Sequence, residues 1–180
     1  MKYFAFFRGI NVGGKNIVKM ADLKQMFAES GFYEAKTYIQ SGNVIFSSDE
    51  EKDSLKPKIE KAFKARFGFP SAVIVRSGEE IQNIIDSMPF ETAEIERAES
   101  EAPGVEHLYV YFSAAALDRE GIGKLSASYA GNDRIHVSDF EIYLLCFQSV
   151  RDSKLAVLLT KVPQPLTARN FKTLKKISAI

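Results

Sequence analysis

A chain of 180 residues, 46% hydrophobic and 26% charged, has the composition of one globular domain or two small ones, which excludes a disordered, collagenous or coiled-coil chain. Its single cysteine excludes an internal disulfide framework and a Cys-rich zinc module. The formal net charge of +1 singles out no partner class by itself.

Lys2 to Arg8 is apolar and aromatic and predicts a buried strand. Gly9 to Val18 follows as a glycine-containing loop. Met20, Leu23 and Phe27 recur at helical spacing, with Gly31 at a helix C′ position. Thr37 to Gln40 and Asn43 to Phe46 read as two short strands, joined tightly through Ser41-Gly42. Leu55, Ile59, Ala62, Phe63 and Phe67 predict a second helix closed by Gly68. Pro57 belongs in a first turn, which places the start near Ser54. Ala72 to Val75 is a further strand. The order β-α-β-β-α-β over the first 76 residues is the ferredoxin-like one. Ser77 and Glu80 form a capping box for a third helix, which Pro89 ends.

Residues 89–104 are acidic, end in Pro103-Gly104 and read as a connection between halves. The second half opens on a strand from His107 to Phe112, followed by a short helix from Ala114 and a loop from Gly121 to Gly131. Arg134 to Val137 and Glu141 to Phe147 predict a hairpin turning at Ser138-Asp139. Ser153 caps a helix holding Leu155, Leu158 and Leu159. Thr167 caps a last helix with Phe171, Leu174 and Ile177 inward, which puts Arg169 and Asn170 in its first turn. The expected organisation is a first half over residues 1–88, the acidic connection, and an α+β half over 105–180 that ends in a basic helix.

Charge is unevenly spread. Residues 1–24 carry Lys2, Arg8, Lys15, Lys19 and Lys24 against Asp22, while 77–120 carry eleven acids against Arg97 and Arg119. Residues 149–180 carry seven bases against Asp152. Such runs are most often solvated faces. They also suit an anion-attracting surface shared by the two ends. The apolar run at Met1 to Phe7 is interrupted by Arg8, so neither a signal peptide nor a membrane span is expected there, and a cytoplasmic location follows as the default.

Gly9 to Asn16 imitates a phosphate-binding loop, G-x-x-x-x-G-K-N. Asn16 replaces the hydroxyl residue that holds magnesium, and a tight antiparallel hairpin comes next in place of a parallel crossover, so an NTPase site is rejected. What survives is a glycine loop with free backbone N–H groups between Arg8 and Lys15, able to form an anion nest. Equally, Gly9, Gly13 and Gly14 serve simply to permit positive φ. In the predicted topology the first two strands run parallel, so Arg8, Asn11, Gln40, Ser41 and Asn43 gather at one rim. That rim suits ligand recognition or mutual loop support. His107, His136 and Cys146 lie in predicted strands without ligand spacing; a structural role is the simpler reading for each, and no metal or cofactor is expected.

Arg8-Gly9-Ile10-Asn11-Val12-Gly13-Gly14, the stretch Thr37 to Phe46, and Thr167-Ala168-Arg169-Asn170 with Thr173 resemble the signature of a bacterial family, domain of unknown function 1697. Phe171 stands where many members have Trp. The resemblance implies an α+β fold of two ferredoxin-like halves with largely antiparallel sheets, and no activity. The functional expectation is a binding module for a phosphate-bearing ligand, nucleotide or nucleic acid, at Arg8, Gly9, Asn11, Gly13, Gly14, Lys15, Gln40, Ser41 and Asn43. Arg169 and Asn170 are expected to join them. A protein-interaction module is the alternative. An enzyme using the same rim ranks lower, because no general base is in view.

Overall fold

The computed structural model describes residues 1–180, which divide into two compact units, Met1–Ile84 with Ile177–Ile180, and Ile85–Lys176. The first contains β1 (Lys2–Phe7), α1 (Met20–Glu29), β2 (Tyr33–Tyr38), β3 (Asn43–Ser47), α2 (Lys52–Phe67) and β4 (Val73–Ser77), and α3 (Gly78–Asp86) follows. Its sheet runs β2-β3-β1-β4 with every neighbouring pair antiparallel. Strands β1 and β2 are therefore parallel, and their C-terminal ends meet the start of β3 at one end of the sheet.

Strand periodicity builds the core. Tyr3, Ala5 and Phe7 share one face with Val44, Phe46, Val73 and Val75, against Leu23, Met26 and Phe27 of α1 and Leu55, Ile59 and Phe63 of α2. The Phe27 ring lies 5.1 Å from Phe46 and 6.1 Å from Phe7. Each such ring, fully buried, contributes about 2–3 kcal/mol. On the opposite face Phe4, Phe6, Ile45 and Ile74 are buried too, which is why β1 reads as a continuous apolar run without alternation.

The capping box of α3 forms as the sequence predicts. Ser77 Oγ accepts from Glu80 N at 3.1 Å, and the Glu80 carboxylate accepts from Ser77 N at 2.7 Å. Helix α2 differs: it begins at Lys52, so Pro57 lies in the second turn and the bond to the Asp53 carbonyl is forgone on an exposed flank. Gly68 closes it at φ 79°, as expected.

The second unit contains α4 (Thr92–Glu101), β5 (Leu108–Ser113), α5 (Arg119–Ser126), β6 (Arg134–Val137), β7 (Glu141–Leu145), α6 (Lys154–Leu159) and β8 (Leu166–Asn170), and α7 (Phe171–Ser178) follows. Its sheet order, β6-β7-β5-β8, repeats the connectivity of the first, again with antiparallel neighbours. The fold is α+β with two ferredoxin-like halves.

Three readings of the second half change. The acidic stretch read as a connection is mostly helix α4, opened by a box between Glu91 and Glu94, with Ala98 packed beside Leu145 and Phe147. The predicted loop after Gly121 contains most of α5, capped by Asp118, whose Oδ1 accepts from Gly121 N at 2.9 Å. Gly121 and Gly123, poor helix formers, concealed it. Residues 166–170 are strand β8, so Thr167 caps nothing. The cap of α7 is Asn170, whose Oδ1 accepts from Thr173 N at 2.8 Å.

The two helical glycines of α5 should behave oppositely. A Cβ at Gly123 meets nothing within 4 Å, whereas one at Gly121 falls 2.3 Å from Asp118 Oδ2. Gly123→Ala is expected to stabilise by about 0.5–1 kcal/mol. Gly121→Ala is expected to lose that gain by displacing the cap, worth about 1 kcal/mol. Urea unfolding of both variants checks the contrast, and equal stabilisation by the two would contradict it.

Candidate functional site

The end of the first sheet where β1 and β2 finish carries two adjacent loop tips. In the first, Asn11 N donates to Asn16 O and Lys15 N donates to Val12 O, both at 3.1 Å, with Val12 and Lys15 paired as an isolated bridge. The loop is thus a miniature hairpin. Gly13 at φ 58° and Gly14 at φ 73° form its two-residue turn, the geometry a type I′ turn demands. Val12, Gly13, Gly14 and Lys15 are all exposed. Helix α1 begins only at Met20, so Lys15 does not open a helix and no Walker geometry exists.

The second tip is the β2–β3 turn. Its last pair is Tyr38 with Asn43, so four residues, 39–42, make the connection, two more than Ser41-Gly42 alone. Strand β2 is correspondingly Tyr33–Tyr38, with an irregular register between Tyr33 and Lys36. A longer turn was hidden because Ile39, a β-branched residue at φ 50°, imitates a strand position.

Asparagines hold the tips together. Asn11 Nδ2 donates to Gln40 O and to Val18 O, both at 2.9 Å, while its Oδ1 accepts from Val18 N at 2.7 Å. Fully buried Asn43 donates through Nδ2 to Ser41 Oγ at 2.8 Å and to Tyr38 O at 3.1 Å. Phe7 N donates to Gly42 O, and Ser71 Oγ to Arg8 O, both at 2.9 Å. Asn11 and Asn43 therefore act as loop supports. Arg8, Gly9, Gly13, Gly14, Lys15 and Gln40 are the members left exposed, with Ser41 half-buried.

The same rim displays residues that the sequence reading passed over. Val12 and Ile17 are each 66% exposed and Ile39 is 52% exposed, and all three are chain neighbours of atoms bonded to Asn11 or of Asn11 itself. β-Branched residues inside glycine- and asparagine-rich loops were the available signal. Charge agrees with the geometry. No Asp or Glu occurs over residues 2–21, 35–48 or 61–78, the segments that supply this end of the sheet. Arg8, Lys15 and Lys19 make no ion pair.

Arg169 and Asn170 belong to the second unit. Arg169 is 9% exposed in β8, opposite Val110, and its Nη1 donates to Ala168 O at 2.7 Å. Burial lowers its guanidinium to about 10, which leaves it charged at neutral pH. Arg76 takes the same place in β4, opposite Phe4, with Nη1 donating to Val75 O at 3.1 Å.

His107 is buried, donates from Nδ1 to Cys146 O at 2.7 Å and sets Nε2 3.2 Å from a Glu99 carboxylate oxygen. Burial pushes the Cys146 thiol up to about 12, so it is a thiol, not a thiolate, at neutral pH. No cluster of His, Cys, Asp or Glu is arranged to hold a metal ion. No helix is long and apolar enough to cross a membrane.

Among known proteins, the family described as "Protein of unknown function (DUF1697)" matches residues 1–143. A solved structure, the conserved bacterial protein SP0830 from Streptococcus pneumoniae, is similar to 99% of this chain and 97% of its own, at 30% identity and a TM-score of 0.77. No curated protein matches.

Proposed function

The chain belongs to the DUF1697 family, whose name assigns no activity, and from the chemistry of its first unit we propose a binding module for a phosphate-bearing ligand, specifically the backbone of a nucleic acid strand. The observation that carries this reading is the exposed Gly13-Gly14 turn set among Arg8, Lys15 and Lys19 on acid-free segments. Exposed N–H groups and unpaired cations attract phosphate without demanding a sequence. A protruding tip suits an extended polyanion better than a small nucleotide, which needs enclosure. The reading rests on this unit alone; buried Arg169 and the capping Asn170 are not needed for it.

Fluorescence anisotropy with labelled single- and double-stranded oligonucleotides tests it. Affinity should fall with salt at a logarithmic slope of about −2 on single strands and about −3 on duplex if three cations each displace a counterion. Combined Arg8→Ala, Lys15→Ala and Lys19→Ala should remove most of that slope while leaving the melting midpoint unchanged. Absence of oligonucleotide binding by the folded protein at about 50 mM salt would overturn the reading.

The exposed Val12, Ile17 and Ile39 favour a second reading, a protein-interaction surface. Its mark would be a partner whose binding is salt-insensitive and lost in Val12→Ser with Ile17→Ser.

A further inference from the structure

The second unit contains a cavity of about 700 Å³, within the range of small-molecule sites. It lies between the chain leaving α5 and the start of α6. Tyr129, Val157 and Leu158 give it an apolar lining, and Asn132, Gln148, Asp152 and Lys154 add polar groups to it.

These walls are fixed from behind by one buried carboxylate. Asp133 is 3% exposed. Its Oδ1 accepts from Phe147 N at 2.8 Å, and its Oδ2 accepts from Gln148 Nε2 at 2.7 Å and from Ser153 Oγ at 2.6 Å. Its own N–H donates to the Tyr129 hydroxyl at 3.1 Å. A carboxylate only accepts, so the amide nitrogen of Gln148 must be the end it holds. The carbonyl end of Gln148 is then left as an oriented acceptor. The absence of a side chain at Gly131 leaves room for the Tyr129 hydroxyl, which a Cβ there would displace. Two opposite charges flank Ser153 in sequence, Asp152 and Lys154, both exposed and not paired with each other. An oriented acceptor and an anion lining one cavity suit an ammonium group. A separate cation suits a carboxylate. The apolar lining suits a hydrocarbon body.

We propose that this cavity binds a small zwitterion with an apolar body, of the α-amino-acid class. The ammonium group meets Asp152 and the Gln148 carbonyl, the carboxylate meets Lys154, and the side chain covers Tyr129, Val157 and Leu158. This site is independent of the rim in the first unit.

The test is titration of the full-length ¹⁵N-labelled protein with L-leucine, 4-methylpentanoate, which lacks the ammonium, and isopentylamine, which lacks the carboxylate. The side-chain amide signals of Asn132 and Gln148 are followed. L-leucine is expected to give a saturable shift, with affinity about tenfold above either truncated probe. Asp152→Asn and Lys154→Gln, both exposed substitutions, should each weaken leucine about tenfold without altering the fold. Equal binding of a truncated probe, leucine binding unaffected by both variants, or no saturable shift up to about 10 mM would overturn the proposal.

Discussion

Gly42→Val is expected to lower stability by about 3 kcal/mol. Two costs combine. Gly42 has φ 72°, where a β-branched residue is strained by about 1–2 kcal/mol. Its new Cβ would also fall 2.6 Å from Ile10 Cδ1 and 2.9 Å from Phe7 Cβ. Both neighbours are buried, so relief means moving packed side chains, at about 1–3 kcal/mol. Gly68→Val separates the terms, because Gly68 has φ 79° but open space around it. That control should lose only the strain. For a chain of this size the difference between the variants is a few degrees in melting midpoint, and the Gly42 loss is about 10 °C. An equal loss in both would show that the Ile10 contact carries nothing.

Asp133→Ala is expected to cost about 3–5 kcal/mol. The substitution strands three donors at once: Phe147 N, Gln148 Nε2 and Ser153 Oγ. The Phe147 and Ser153 bonds lie in the interior, where water does not replace the lost acceptor. Ser153 also caps α6 by accepting from Ala156 N at 3.0 Å, so the loss reaches the next helix. Ser153→Ala removes the cap and one bond to Asp133 and should cost less, about 1–2 kcal/mol. Chemical denaturation of both variants checks the order. Asp133→Ala as mild as Ser153→Ala would mean that the carboxylate does not organise these three segments.

Most of the first unit was legible because its signals were local and agreed with one another. Leu23 and Phe27, Leu55 and Phe63, and the Ser77–Glu80 box each state one element without outside help. The second unit was less legible where local and tertiary preferences conflict. Gly121 reads as loop, yet its missing Cβ is what admits the Asp118 cap. Thr167-Ala168-Arg169-Asn170 reads as a polar helix start, yet pairing with Tyr109 to Phe112 makes it a strand. A buried arginine at a strand position has no signature in a single sequence. The rim could be located, because parallel first and second strands dictate it. The division of labour within it could not. Only the bonds show that Asn11 and Asn43 are spent on the loops, while Val12, Ile17 and Ile39 stay on the surface. Asp133 and its cavity were invisible, because the residues it joins are separated in sequence and meet only through the β6–β7 pairing.

The repeated connectivity extends to single residues. Two sheets with the same order each carry a buried arginine on the last strand, opposite the third residue of the first strand, one residue before a polar cap. Arg76 with Ser77 and Arg169 with Asn170 mark the register in which the two halves superpose in topology. In that register the glycine hairpin between β1 and α1 has as its counterpart the link between Ser113 and Asp118, which has no glycine. The two halves share a scaffold and differ at the loop that the first one exposes.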